Sequence, residues 1–103
     1  MSVTPARGQV DRCDLGYGAT PWLVVSNNAR NRVLSEVIAI RLTTTVRELP
    51  TWAKLSMADP LTGYANADCI EQLGKHELGD YLGALSPATM RTANHALTIA
   101  LAL

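Results

Sequence analysis

The stretch from Pro21 to Thr45 most constrains what this chain can fold into. Two runs, Trp22-Leu23-Val24-Val25-Ser26 and Val37-Ile38-Ala39-Ile40-Arg41-Leu42, are rich in the β-branched and aromatic residues that suit a pleated, half-buried surface. Between them lies a polar connection, Asn27-Asn28-Ala29-Arg30-Asn31-Arg32, and Thr43-Thr44-Thr45 follows. This pattern predicts two antiparallel strands. Strand side chains alternate, so Ile38, Ile40 and Leu42 share one face, and Val37, Ala39, Arg41 and Thr43 share the other. With the polar connection at the centre of the ribbon, paired residues have numbers that sum to about 63. Thr20 then faces Thr43, and hydroxyls gather beside Arg41 at the open end.

At 103 residues the chain has room for one domain with one core, spanning 1–103. Hydrophobic residues make up 48% of it, which excludes a disordered chain. It has no apolar run long enough for a membrane span and no basic-then-apolar leader pattern. Cys13 and Cys69 match no metal-ligand spacing, and no metal or cofactor is expected. A cytoplasmic location with both thiols reduced is the plain expectation; a disulfide between them is the alternative for a secreted domain.

The formal net charge is zero, but it is unevenly spread. Arg7, Arg12, Arg30, Arg32, Arg41, Arg47 and Lys54 in the first half face Asp11, Asp14, Glu36 and Glu48. Lys75 and Arg91 in the second half face Asp59, Asp68, Glu71, Glu77 and Asp80. The basic half suits a phosphate-bearing partner; a solvated surface with chance clustering fits the charges equally well.

In chain order, Met1 to Ala6 reads as a loose tail and Gly8 to Leu15 as a first strand. Gly16-Tyr17-Gly18-Ala19 reads as a turn. After the ribbon, Trp52 to Met57 alternates like a strand and Asp59-Pro60-Leu61-Thr62-Gly63 reads as a turn. Ala65 to Ile70 is a short strand, and Lys75 to Leu78 a helical turn followed by a short extended piece. The last segment reads as a helix: Ser86 caps it, Pro87 suits its first position, and Met90, Ala93, Leu97, Ala100 and Leu101 recur at helical spacing. Its apolar end, with Ile99 and Leu103, suits either core packing or a subunit interface. The whole is an α+β domain: a small, strongly curved, barrel-like antiparallel sheet closed by a C-terminal helix.

Taken as an ordered set, several motifs resemble the MazF/PemK toxins of type II toxin–antitoxin systems, most closely those of actinobacteria. They are Arg7-Gly8-Gln9-Val10, Asp14-Leu15-Gly16, Pro21 through Asn27, Leu42-Thr43-Thr44, Glu71-Gln72-Leu73, and Leu82 through Pro87 ahead of the helix. The resemblance implies an SH3-like barrel with a C-terminal helix, assembled as a homodimer. It implies metal-independent, sequence-specific cleavage of single-stranded RNA to 2′,3′-cyclic phosphate and 5′-hydroxyl ends, with arrest of translation and growth. It also implies a cognate, MazE-like antitoxin whose acidic tail covers the RNA groove. The family's catalytic pair is an Arg before the Pro of the second strand and a Thr ending the third. The Thr carries over to Thr43; the Arg position holds Thr20, a departure, and the loop from Gly16 to Ala19 is shorter than is common in the family and uncharged.

Arg41, two residues from Thr43 on the same face, is the first candidate to replace the missing cation; a structural ion pair with Glu36 or Asp14 is its alternative role. Arg7, Arg30 and Arg47 are further candidates to meet RNA phosphates. Asn27, Asn28 and Arg30 suit the reading of unstacked bases, though Asn equally favours turns. Thr44 and Thr45 either share phosphate binding with Thr43 or are plain strand residues. Trp22 and Trp52 are base-stacking candidates whose commoner role is core. His76 is the general acid–base candidate outside the helix, with a surface role as the commoner reading beside its acidic stretch; His95 packs or faces solvent, and Asp68 and Glu71 either orient groove residues or form a solvated pair. The competing function class is a toxin without nuclease activity that acts by binding a partner such as gyrase.

Overall fold

The computed structural model describes residues 4–103. Six strands form one antiparallel sheet in the order β4-β5-β3-β2-β1-β6. They are β1 (Gln9–Asp14), β2 (Ala19–Val24), β3 (Glu36–Thr43), β4 (Trp52–Lys54), β5 (Tyr64–Gly74) and β6 (Leu78–Ala84). Helix α1 (Asn28–Val33) joins β2 to β3, and helix α2 (Pro87–Leu101) ends the chain. The α+β expectation holds.

Strand β3 explains the layering. Ile40 and Leu42 are buried on one face, with Ile38 packed beside them; this core also takes Val10, Leu23, Ala53, Leu55, Ala65 and Ala67, and is covered by Ala93 and Ala96 of α2. Val37 and Ala39 are buried on the opposite face with Cys13, Trp22, Val24 and Leu73. The central strand is therefore covered on both sides, as its β-branched sequence requires. Pairing of β2 with β3 has the expected register, Trp22 with Arg41, Leu23 with Ile40 and Val24 with Ala39.

Several elements differ from expectation. The polar connection holds α1, because Asn27 caps it: its Oδ1 accepts the Ala29 N–H at 2.7 Å. Fully buried Asn31 then ties the helix to the end of β2, its Nδ2 donating to the Ser26 carbonyl at 3.1 Å. A six-residue helix shows too little periodicity to be seen in sequence. The second strand is Ala19–Val24, since the N–H groups of Val25 and Ser26 both turn to the Ile38 carbonyl. The first strand is shorter than expected, starting after Gly8, whose φ is +97°. Only Trp52–Lys54 of the expected fourth strand pairs. Strand β5 is the longest element of the sheet at 11 residues; Asn66 and Asp68, which weaken its sequence signal, sit at a register break between Ile40 and Arg41. After a 3-10 turn at Lys75–Glu77, the extended piece is the full strand β6. Of the expected tail, Met1 to Val3 lies outside the described residues; Pro5 is buried and the Ala6 N–H donates to Gln9 Oε1 at 2.6 Å.

Helix α2 starts as expected, with the Ser86 hydroxyl accepting the Thr89 N–H at 3.3 Å and Pro87 in the first turn. A second anchor holds that start. Asp59 accepts the Ser86 N–H at 2.7 Å, the Thr89 hydroxyl at 2.6 Å, and the N–H and hydroxyl of Ser56 at 2.6 and 3.0 Å. Burial raises the Asp59 carboxyl pKa, but these donors outweigh it and hold the value down at about 2. The loop before β5 is thereby clamped to the helix.

Asp59→Asn is expected to cost about 2 kcal/mol, the scale of hydrogen bonds to a charged group. For a domain of this size that lowers the melting temperature by roughly 10 °C at pH 7. The folded pKa lies below the unfolded value of 3.8. The stabilisation is therefore present above that value and lost as pH falls towards 2. Thermal melts should show the gap between wild type and variant closing between about pH 4 and pH 2; a gap that persists at pH 2 contradicts this account.

Candidate functional site

The face of β3 that is core at Val37 and Ala39 changes character at Arg41 and Thr43, both half-buried. Pairing with β2 is recorded only as far as Trp22 with Arg41, so Thr20 and Thr43, two residues further along each strand, lie beyond the hydrogen-bonded ribbon. There a cavity of about 300 Å³ opens, lined by Thr20, Pro21, Arg41, Leu42, Thr43, Thr44, Leu61 and Thr62. A second, of about 310 Å³, is lined by Arg41, Thr43, Thr45, Arg47, Trp52 and Asn66. Arg41 and Thr43 line both and form the saddle between them.

Backbone geometry sets the walls. Gly63, with φ +124°, packs so closely on β3 that a Cβ there would collide with the Thr43 carbonyl. That contact brings Leu61 and Thr62 to the rim of the first cavity. One residue from each strand also falls in register across the sheet: Tyr81, Asp11, Trp22, Arg41, Asn66 and Trp52. Of this row, Arg41, Asn66 and Trp52 line the second cavity. Asp11 is buried, and its carboxyl is pushed up by desolvation against a counteracting hydrogen bond from Gln9.

The two hydroxyls have defined surroundings. The indole N–H of buried Trp22 donates to Thr20 Oγ1 at 3.0 Å, and the Thr45 N–H donates to Thr43 Oγ1 at 3.1 Å. Each oxygen has one acceptor site taken, which leaves its hydrogen to be donated into the cavity. Arg41 contributes the charge. Its Nε is buried without a hydrogen-bond partner. The two carboxylates considered as its partners are engaged elsewhere. Glu36 accepts from Gln72 and Ser35 at the far end of β3, roughly 17 Å along the strand. Asp14 accepts the N–H groups of Gly16 and Gly18 at 2.8 and 3.1 Å and closes the turn after β1. A guanidinium flanked by hydroxyl donors at an open cavity is an arrangement for a phosphate or another oxyanion.

The structure thus brings Thr20, Arg41, Thr43, Thr44, Thr45 and Arg47 together around connected cavities. Four other candidates lie apart from them in structural contacts. Arg7 donates to the Val25 carbonyl and to Asn94 of α2. Asn28 accepts the Arg7 N–H at 2.7 Å, Asn27 caps α1, and Arg30 donates to the Glu36 carbonyl at 3.2 Å. Trp22 is fully buried, whereas Trp52 faces the groove with the Arg47 guanidinium 5.5 Å from its ring centroid. Asp68 accepts the Thr51 hydroxyl at 2.6 Å. His76, His95 and Glu71 are exposed and line neither cavity. Leu61, Thr62 and Asn66 were not foreseen; their only sequence signals, a turn and an Asn within a strand, say nothing of what they meet.

Elsewhere, a more apolar cavity of about 480 Å³ runs along α2, with Ile38, Ile70, Leu97, Leu101 and Leu103 in its wall. Cys13 and Cys69 are free thiols, both pushed up chiefly by burial. Among the described residues, no helix is long and apolar enough to cross a membrane.

Comparison with known proteins agrees with this geometry. The family model described as the PemK-like, MazF-like toxin of type II toxin–antitoxin systems matches residues 6–101. The chain is 67% identical over 99 residues to endoribonuclease MazF4 of Mycobacterium tuberculosis, covering 96% of this chain and 94% of that protein. It is similar, with a TM-score of 0.95 and 67% identity over 96% of both chains, to a mycobacterial endoribonuclease solved in complex with its cognate antitoxin. It shares the fold of MazF in a MazE–MazF complex from Deinococcus radiodurans, with a TM-score of 0.85 at 20% identity over 98% of both chains.

A buried, unpaired guanidinium nitrogen costs folding free energy, and such a cost is expected where a charge is kept for a ligand. Arg41→Met keeps the apolar stem and removes the charge. It is expected to raise the melting temperature by a few degrees, on the order of 0.5–1 kcal/mol. A drop in melting temperature would show that Arg41 holds the fold together instead.

Proposed function

This chain belongs to the PemK-like, MazF-like toxin family of type II toxin–antitoxin systems, and on that premise we propose how it cleaves RNA as a sequence-specific endoribonuclease. Single-stranded RNA lies in the groove formed by the two cavities, with the scissile phosphate on the saddle at Arg41 and Thr43. The 2′-oxygen of the preceding ribose bonds to phosphorus and its proton passes to solvent. The P–O5′ bond breaks and the leaving oxygen takes a proton from solvent. The products are a 2′,3′-cyclic phosphate and a 5′-hydroxyl, and no metal takes part. Cleavage of this RNA arrests translation and growth.

Each group has a role in that step. The Arg41 guanidinium neutralises the charge that builds on the non-bridging oxygens. Thr43 and Thr20 donate their hydroxyl hydrogens to the same oxygens. Thr20 stands where the family carries Arg, so Arg41 takes over the charge from the neighbouring strand. Thr44, Thr45 and Arg47 hold the flanking backbone. The observation that carries this reading is the buried Arg41 Nε without a partner beside Thr43 at the junction of two cavities.

The remaining expectations fit the same picture. A cognate, MazE-like antitoxin blocks the groove with an acidic segment, which suits Arg41 and Arg47. The apolar cavity along α2 packs against a second copy to give a homodimer. The site of action is the cytoplasm, where the RNA is.

Purified protein incubated with RNA in EDTA should give defined fragments with cyclic phosphate ends. Arg41→Ala and Thr43→Ala should each lower single-turnover cleavage by about 10²-fold or more, the scale for one transition-state donor. Thr20→Arg should raise it. Wild-type turnover in both alanine variants removes the assignment, and intact RNA with a stalled gyrase supports the binding-only toxin.

A further inference from the structure

The second cavity holds more than phosphate ligands. We infer that Trp52 and Asn66 form a subsite for one unstacked nucleobase next to the scissile phosphate, Trp52 stacking on its face and Asn66 reading its edge. This rests on the nuclease reading above.

Trp52 is built as a platform. Tyr64, itself buried, supports it with ring centroids 6.3 Å apart at a 56° tilt. The Arg47 guanidinium lies over the ring, 5.5 Å from its centroid. That space does not admit a base between the two, since two stacked layers need roughly 7 Å. The base therefore takes the place of the guanidinium, and Arg47 is released towards the backbone phosphates. Stacking on an aromatic face tolerates any base and supplies affinity.

Asn66 supplies the discrimination. It sits between Arg41 on β3 and Trp52 on β4 in the cross-strand row, so the phosphate anchor, the edge reader and the platform are consecutive neighbours. All three line the same cavity. The Asn66 Oδ1 accepts the Asp68 N–H at 2.8 Å, which fixes the carboxamide and leaves its amino group to donate into the cavity. Aimed at the exocyclic group of the Watson–Crick edge, a donor favours a keto base, uracil or guanine, over an amino base, cytosine or adenine, whose group at that position is itself a donor.

Asn66→Asp separates these roles, because a carboxylate still accepts the Asp68 N–H but has no donor. Cleavage of a randomised RNA pool, with sequencing of the new ends, should show wild type disfavouring adenine at one position beside the cut. In Asn66→Asp that position alone should relax or reverse towards adenine. Trp52→Leu should raise KM by about tenfold or more, and Trp52→Phe by much less. Unchanged preferences in a cleaving Asn66→Asp variant overturn the edge-reading role, and an unchanged KM in Trp52→Leu overturns the platform. If Asn66→Asp and Asn66→Ser melt like wild type but lose cleavage of all sequences equally, Asn66 serves the rate and the inference falls. If wild type cuts no RNA, the nuclease reading falls and takes this subsite with it.

Discussion

Strand β3 is covered on both faces for most of its length, and one of those covers stops short. Alternation commits Val37, Ala39, Arg41 and Thr43 to a single face. Trp22, Val24 and Leu73 fill that face beside Val37 and Ala39. Beyond Trp22, β2 and β3 cease to pair, and the face continues with Thr20, Arg41 and Thr43, which line an open cavity. A rigid, doubly buried strand therefore carries Arg41 and Thr43 out of the core into an open groove. Such anchoring holds the geometry tightly, which loops alone do not provide.

The cost falls on Arg41, which keeps a guanidinium nitrogen buried without a partner. The surrounding structure absorbs it. Gly63 lets the loop before β5 lie against the Thr43 backbone, and Asp59 ties that loop to the start of α2. The Trp22 indole and the Thr45 amide each occupy one acceptor position on a groove hydroxyl, so each hydroxyl keeps its hydrogen free to donate. The cation that lines the first cavity, Arg41, comes from β3, while the β2 position across from it holds the Thr20 hydroxyl.

Much of this was legible in the chain. The ribbon register, the placing of Thr20 and Thr43 at one cavity and the N-terminal cap of α2 follow from alternation and local hydrogen bonding, which leave direct traces in sequence. Helix α1 did not, because a six-residue segment with four polar side chains after an Asn satisfies a turn as well as a helix. Strand β5 was read too short because polar Glu71 and Gln72 and then Gly74 look like a loop, whereas pairing with β3 carries the strand to Gly74; Asn66 and Asp68 lie at its register break. Asn27, Asn28 and Arg30 have the chemistry of base readers, yet their contacts belong to α1 and its neighbours. Asn66, Leu61 and Thr62 reach the groove only through long-range pairing and a close glycine contact, which one sequence does not display.

The central claim is that Arg41 and Thr43 together hold the phosphate that reacts. A crystal structure with a short RNA carrying a 2′-deoxy substitution at the cut site, which cannot react, tests it most directly. One phosphate should lie within hydrogen-bond distance of both the Arg41 guanidinium and the Thr43 hydroxyl. RNA bound across another face, or a scissile phosphate that touches neither side chain, would contradict it.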